Sequence, residues 1–265
     1  MNYPLLNSAR FVHALTTSLI YEKTASILFF APCILGAAIV KGLPDYEVIV
    51  PAYNTRETIE DAIESIQRQT HQPVRIIVVD DGSTDDTADL ARKFPRVELI
   101  QQENSGSGAA TNAGLLRVTA ELVAFLDADD VWLPCKAENQ IRYLMEKPTV
   151  AGTFTGARVF HGTSLDPQFV RDVELWTRTT LLMRGPVAKQ MGMMETNMPG
   201  GVGEFVDWAS RGRDLGFVFE MQPEIMAWRR IRQGSQTYAM DETKRRGYLL
   251  AARRALLRRR TGKPE

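Results

Sequence analysis

The stretch that decides the fold lies between Tyr46 and Asp130: YEVIVPAYN at 46–54, RIIVVDDGSTD at 75–85, VELIQQENSGSG at 97–108 and ELVAFLDADD at 121–130. Each piece carries a short Val- and Ile-rich run and ends in polar or acidic residues. The runs predict buried strands over Glu47 to Ala52, Arg75 to Val79, Val97 to Gln101 and Leu122 to Leu126. Between them the period lengthens to that of helices, over Glu57 to Gln69, Asp86 to Phe94 and Gly108 to Val118. In the first, Ile59, Ala62, Ile63 and Ile66 share one face. Buried strands alternating with helices specify an α/β fold with a doubly wound, mostly parallel sheet.

Open sheets of this kind bind ligands beyond the carboxyl ends of their strands. The residues expected there are Tyr53-Asn54, Asp80-Asp81-Gly82-Ser83, Asn104-Ser105-Gly106 and Asp127-Ala128-Asp129-Asp130. Asp127 and Asp129 offer hard oxygens that suit Mg²⁺ or Mn²⁺, and such an ion neutralises a diphosphate leaving group. An acidic triplet alone is common in turns, so its place after a buried strand is what gives it weight. Asp80 and Asp81 can accept hydrogen bonds from a base or a ribose, while an Asx turn with Ser83, Thr84 and Asp85 as helix caps is the plainer reading. Tyr53 suits stacking on a base or simple packing.

Together, Val48-Ile-Val-Pro-Ala-Tyr-Asn54, Val78-Val-Asp-Asp-Gly-Ser-Thr-Asp85, Asn104-Ser-Gly106 and Asp127-Ala-Asp129 resemble the family-2 glycosyltransferases of GT-A fold, over roughly Tyr46 to Lys147. The resemblance implies transfer of a sugar from a nucleoside-diphosphate sugar, a UDP-sugar favoured, to an acceptor hydroxyl with inversion. It assigns Pro51, Tyr53, Glu57, Asp80, Asp81, Asn104, Gly106 and Asp127 to the donor. Asp129, assisted by Asp127, is assigned to Mn²⁺ or Mg²⁺. Further on, Gly203-Glu-Phe-Val-Asp-Trp208 looks like the helix start that supplies the catalytic base. Phe205 stands where a second carboxylate is usual, so Glu204 is preferred as base, with Asp207 close behind because the two lie three apart on a helix.

Two other positions depart from the pattern. Thr111 occupies a step where the family often carries Arg, and Arg232 one where His is common; Arg229, Arg230 and Arg232 suit the diphosphate instead. These departures motivate an alternative, a non-catalytic nucleotide-sugar-binding relative with a regulatory or scaffolding role. A dinucleotide-binding reading of Gly106-Ser-Gly108 fails, because Thr111 replaces the third Gly and the pair follows the third strand rather than the first.

Working outward, the expected organisation is an apolar leader or helix at 1–44, a nucleotide-sugar-binding half at 45–150, a smaller acceptor-side α+β region carrying the base at 151–240, and a basic helix and tail at 241–265. Between Pro148 and Leu182 the pattern is irregular, with edge strands expected. Ala25 to Val40 is shorter than the ~20 residues a spanning helix requires and contains Pro32 and Gly36, so it reads as a packed or interfacial helix. Its late position and weakly basic start count against a secretory leader. Lys+Arg and Asp+Glu balance at 32 each, which gives no reason to expect a nucleic-acid partner. Nine of those basic residues lie between Lys244 and Lys263, a segment that reads equally as a helix closing the fold or as a basic surface for an anionic membrane. Cys33 and Cys135 are far apart and form no C-x-x-C pair, which argues against a disulfide framework or a structural zinc site. The expected location is cytoplasmic, with peripheral contact at the inner membrane face through the basic C-terminal helix or the N-terminal apolar segment. The expected acceptor is a glycan, lipid-linked or peptide hydroxyl.

Overall fold

A computed structural model describes residues 42–162, 171–232 and 240–261. The leader proposed for 1–44, apart from its last three residues, lies outside the described residues, as does 233–236 of the arginine-bearing segment.

Four parallel strands form the first half of the sheet in the order β3-β2-β1-β4: β1 (Tyr46–Ala52), β2 (Arg75–Asp80), β3 (Val97–Gln101) and β4 (Leu122–Phe125). Every residue of β1 is buried, as expected of a strand with neighbours on both edges and helices on both faces. The helices are α1 (Ile59–Gln67), α2 (Thr87–Arg92) and α3 (Ser107–Leu115). α1 buries the predicted Ile59, Ala62, Ile63 and Ile66 against one face of the sheet. α3 approaches the other face so closely that a Cβ on Gly114 would lie 2.5 Å from Ile49 Cγ2.

At the start of β1, Glu47 ties three segments together. Its carboxylate accepts from Arg75 Nη2 (2.6 Å) and from the backbone N–H groups of Thr119 (2.7 Å) and Ala120 (3.2 Å). Burial pushes its pKa up, but these bonds outweigh that and hold the carboxyl below its ordinary range.

The second half extends the same sheet through β5 (Val131–Trp132), β6 (Val150–His161), β7 (Arg171–Glu174), β8 (Leu182–Arg184) and β9 (Val218–Ile231), continuing the order as β4-β8-β6-β9-β5 with β7 on β6. The edge strand expected of this stretch is β7, whose pairing among the described residues is with β6, but the long strand before it is not at an edge. β6 is a twelve-residue inner strand, antiparallel to β7 and β8 and parallel to β9. Its alternation is blurred because both faces are covered, and its register with β9 shifts between Thr155 and Ala157. Helices α4 (Lys136–Glu146), α5 (Gly185–Met191), α6 (Glu204–Asp214) and α7 (Glu242–Thr261) complete the described chain.

α7 closes the fold through its inner side. Gly247 and Ala251 are buried, and a Cβ on Gly247 would lie 2.4 Å from the Pro199 carbonyl oxygen. Arg258, also buried, reaches Asp207 (2.9 Å) and Asp214 (2.8 Å) on α6.

Candidate active site

The carboxyl ends of β1, β2, β3 and β4 open onto a cleft of about 300 Å³. Its walls bring together residues singled out in the sequence: Pro51, Tyr53, Asp81, Asn104, Gly106, Asp127, Asp129, Asp130, Arg229, Arg230 and Arg232. The loops that form it are laced to one another. Asn54 N–H donates to Ser83 Oγ (2.9 Å) and its side-chain oxygen accepts from Thr84 N–H (2.9 Å). Asp81 holds the third loop, one oxygen accepting from Ser105 N–H (2.9 Å) and the other from Gly106 N–H (2.8 Å). Gly82 has φ +75°, and a Cβ there would lie 2.8 Å from Asn104 N, so this turn demands glycine.

Asp80 does not line the cleft: its oxygens accept from Ser83 N–H and Gln101 Nε2, both at 3.2 Å, so its carboxylate holds the turn after β2. Glu57 is exposed and does not line the cleft.

The acidic segment after β4 gathers three carboxylates. Asp130 is buried and committed to structure, accepting from Thr179 Oγ1 (2.6 Å) and Arg230 N–H (2.8 Å). Burial, and then the charges of Asp129 and Asp127, push its pKa well above the ordinary value. Asp129 is raised too, by burial and by Asp127, against the lowering influence of Arg232 and Arg229. Arg230 is anchored by Asp61 (2.9 Å) and the Asp129 carbonyl (3.0 Å). Arg178, which sequence reasoning missed, enters from the turn before β8. Its Nη2 lies 2.9 Å from Asp127 Oδ1, and its Nη1 donates to Thr111 Oγ1 (3.0 Å) and the Ser107 carbonyl (3.3 Å). A cation therefore stands beside Thr111 after all, supplied from a distant part of the chain.

Asp127, Arg178 and Arg229 also line an adjoining pocket of about 340 Å³, whose walls include Trp176, Glu204 and Tyr248. Glu204 is buried at the first turn of α6. Ser107 Oγ donates to its Oε1 (2.8 Å), while its Oε2 has no hydrogen-bond partner. Asp207 is not brought there. It lines a different cavity, with Arg211 and Arg254, and is engaged by Arg258. Trp208 is fully buried, its indole N–H donating to the Gly192 carbonyl (2.7 Å), which makes it a core aromatic.

Asp127 and Asp129 fit a divalent cation. Both are carboxylates in the cleft wall, and burial first, then the neighbouring charge of Asp127, raises the pKa of Asp129, a repulsion that a shared cation would relieve. Among the described residues there is no group of three or more His, Cys, Asp or Glu side chains arranged to hold a metal. Two protein carboxylates with the remaining positions left to phosphate and water is the arrangement Mg²⁺ favours.

A mostly parallel α/β sheet with an acidic, arginine-bordered cleft at its strand ends is the architecture of the GT-A fold. The glycosyl transferase family 2 model matches residues 47–187, more than half of the chain, and the chain belongs to that family. A putative teichuronic acid biosynthesis glycosyltransferase, TuaG of Bacillus subtilis, is 39% identical over 130 residues, 46% of this chain and 51% of that protein. The Escherichia coli UDP-Glc:alpha-D-GlcNAc-diphosphoundecaprenol beta-1,3-glucosyltransferase WfaP is 38% identical over 100 residues, 37% of this chain and 40% of that protein. The matched stretch thus spans about half or less of these relatives. Among solved structures, residues 1–349 of Staphylococcus aureus TarS in complex with UDP-GlcNAc share the fold with a TM-score of 0.65 at 18% identity, over 80% of this chain and 66% of that one. The mannosyltransferase PcManGT of Pyrobaculum calidifontis, in complex with GDP-Man and Mn²⁺, gives 0.61 at 18% identity, over 95% and 76%.

Proposed function

We propose that the chain transfers a sugar from a nucleoside-diphosphate sugar to an acceptor hydroxyl with inversion, and that Glu204 is the base. The observation that carries this is the partnerless, buried Glu204 Oε2 in a pocket that shares Asp127, Arg178 and Arg229 with the donor cleft. The 45–150 half holds the donor and the 151–240 half presents the acceptor.

The nucleoside lies against Pro51 and Tyr53, with the Asp81-held loop at Asn104 and Gly106 forming the opposite wall. Asp129 and Asp127 would hold Mn²⁺ or Mg²⁺, which when bound neutralises charge on the leaving diphosphate. Arg229 and Arg232 border the same cleft and add donors for phosphate oxygens. Glu204 takes the acceptor's hydroxyl proton as that oxygen attacks the anomeric carbon, and the bond from that carbon to the diphosphate breaks to release the nucleoside diphosphate. Attack from the pocket side, opposite the leaving group, inverts the centre.

A UDP-sugar is favoured by TarS, solved with UDP and with UDP-GlcNAc, and by the UDP-Glc donor in the name of WfaP. The teichuronic acid and diphosphoundecaprenol terms in the relatives' names support a cell-surface glycan or lipid-linked acceptor. Among the described residues no helix is long and apolar enough to cross a membrane. Peripheral contact with the inner membrane face is proposed through the outer side of α7, where Leu249 and Leu256 are exposed beside Arg253 and Arg260.

Calorimetric titration with UDP- and GDP-sugars, with and without Mn²⁺, on wild type and Asp129→Ala tests the donor reading. Metal-dependent binding lost in the variant is expected; binding of no donor by the wild type refutes it. Donor binding with neither transfer to any glycan acceptor nor donor hydrolysis would favour the non-catalytic alternative raised by Phe205.

A further inference from the structure

Two guanidinium groups already occupy the charge partnership that a divalent cation would take. Arg178 Nη2 is 2.9 Å from Asp127 Oδ1, and Arg232 Nε is 3.5 Å from Asp129 Oδ2. Neither contact is a well-aligned hydrogen bond: Asp127 Oδ1 and Arg232 Nε are both buried without a hydrogen-bond partner despite those distances. The structural ion pairs of this chain differ. Arg230 and Arg258 donate aligned bonds of 2.9 Å to Asp61 and Asp207. A charge-only contact in a cleft is strong enough to neutralise and lacks the directional bonds that lock a pair in place.

The other side of Arg178 is built differently. Its Nη1 is fixed by Thr111 Oγ1 and the Ser107 carbonyl, neither of which is charged and neither of which a metal would claim. The guanidinium is thus anchored independently of Asp127 and stays in the cleft wall when that carboxylate is withdrawn. It also sits on both the donor cleft and the Glu204 pocket, at the junction where the bond to the leaving diphosphate would break.

We infer that Arg178 and Arg232 are exchange cations: they neutralise Asp127 and Asp129 in the ligand-free protein and pass to the diphosphate oxygens when a divalent cation takes those carboxylates. This rests on the reading of the cleft as a nucleoside-diphosphate site. It makes metal and nucleotide bind cooperatively, because each removes the competitor of the other. It also explains how this chain manages with Thr111 and Arg232: one position holds an arginine supplied from elsewhere, and the other supplies one.

The signature is a pair of opposite effects in one variant. Removing a cation this close to the metal carboxylates should tighten Mn²⁺ binding to nucleotide-free protein, while removing a phosphate ligand should weaken UDP. For Arg178→Met, Mn²⁺ titration followed by electron paramagnetic resonance should show affinity raised roughly tenfold, and calorimetry at saturating Mn²⁺ should show UDP affinity reduced roughly tenfold or more. Arg232→Met, at a more exposed position, should show the same signs if Arg178→Met does not fold. Unchanged or weaker Mn²⁺ binding in the folded variants, or unchanged UDP affinity, overturns the exchange while leaving the donor site standing. A wild type that binds neither UDP nor GDP under any metal condition overturns the donor reading, and the exchange with it.

Discussion

The two carboxylates that open α6 separate cleanly by experiment. Asp207→Asn leaves Arg258 buried and short of one negative partner; both side chains of that pair are only 5% exposed. Breaking a buried pair outright costs about 3–5 kcal/mol. Here Arg258 keeps Asp214 at 2.8 Å and Ser210 Oγ at 2.6 Å, and the asparagine oxygen still accepts, so about 2–3 kcal/mol is the better figure. For a unit of this size that lowers Tm by about 5–10 °C. Turnover per folded molecule should stay within about twofold of wild type, because Asp207 lines neither the donor cleft nor the Glu204 pocket. Glu204→Gln should do the reverse. Its amide oxygen still accepts from Ser107, so Tm should hold, while loss of the base lowers kcat by about 10²–10⁴. Thermal unfolding by circular dichroism and release of nucleoside diphosphate in the presence of a glycan acceptor read both quantities on one preparation. An Asp207→Asn protein that melts like wild type but has lost turnover, beside an active Glu204→Gln protein, would refute the assignment.

Other outcomes follow from single residues. Glu47 has a folded pKa depressed below its unfolded value, so its contribution to stability is present at neutral pH and is lost as pH falls through the folded pKa. The stability gap between wild type and Glu47→Gln, about 1–3 kcal/mol at pH 7 by urea titration, should therefore shrink below about pH 4. Lys136 is fully buried, with Gln140 Oε1 (2.7 Å) and the Trp132 ring (4.1 Å) beside its ammonium, and burial drives its pKa well down. Folding therefore opposes its charged form, so Lys136→Met should raise Tm at pH 7, and the gain should fade toward pH 10 as the unfolded-state lysine also loses its proton. Gly82→Ala forces a side chain onto Asn104 N at positive φ and should cost about 1–3 kcal/mol, with weakened UDP binding in the same calorimetric assay. On α7, Arg253→Glu with Arg260→Glu should reduce flotation with phosphatidylglycerol vesicles roughly thirtyfold or more, at about 1 kcal/mol per basic residue, while leaving donor affinity unchanged. Equal binding of wild type to phosphatidylcholine vesicles would remove the electrostatic argument.

The parallel half of the sheet was legible because burial on both faces writes continuous Val and Ile runs, and because turns such as Asp80 to Asp85 must be polar to bond their own backbone. β6 and β9 were not legible for reasons visible in their packing. Gly152 and Gly156 lie where a Cβ would sit 2.7 Å from Met183 Cβ and from Ile225 Cδ1, so close strand contacts replaced the β-branched residues that signal a strand. Pro223 and the register shifts opposite Gly156 broke the remaining alternation in β9. The site divides in the same way. Residues at strand ends declared themselves, since their position follows from the strand. Arg178 did not, because it reaches Asp127 across 51 residues of chain from a turn with no motif of its own, and the sole hint was negative: a missing cation at Thr111. Asp207 misled for the converse reason. Spacing three apart from Glu204 puts two carboxylates near one helix end, but whether both meet the cleft depends on what packs over the helix. Here α7 covers Asp207 with a buried arginine and leaves Glu204 Oε2 without a partner. Helical spacing fixes which residues are neighbours on a surface; only the tertiary partner decides which of them is left with chemistry to do.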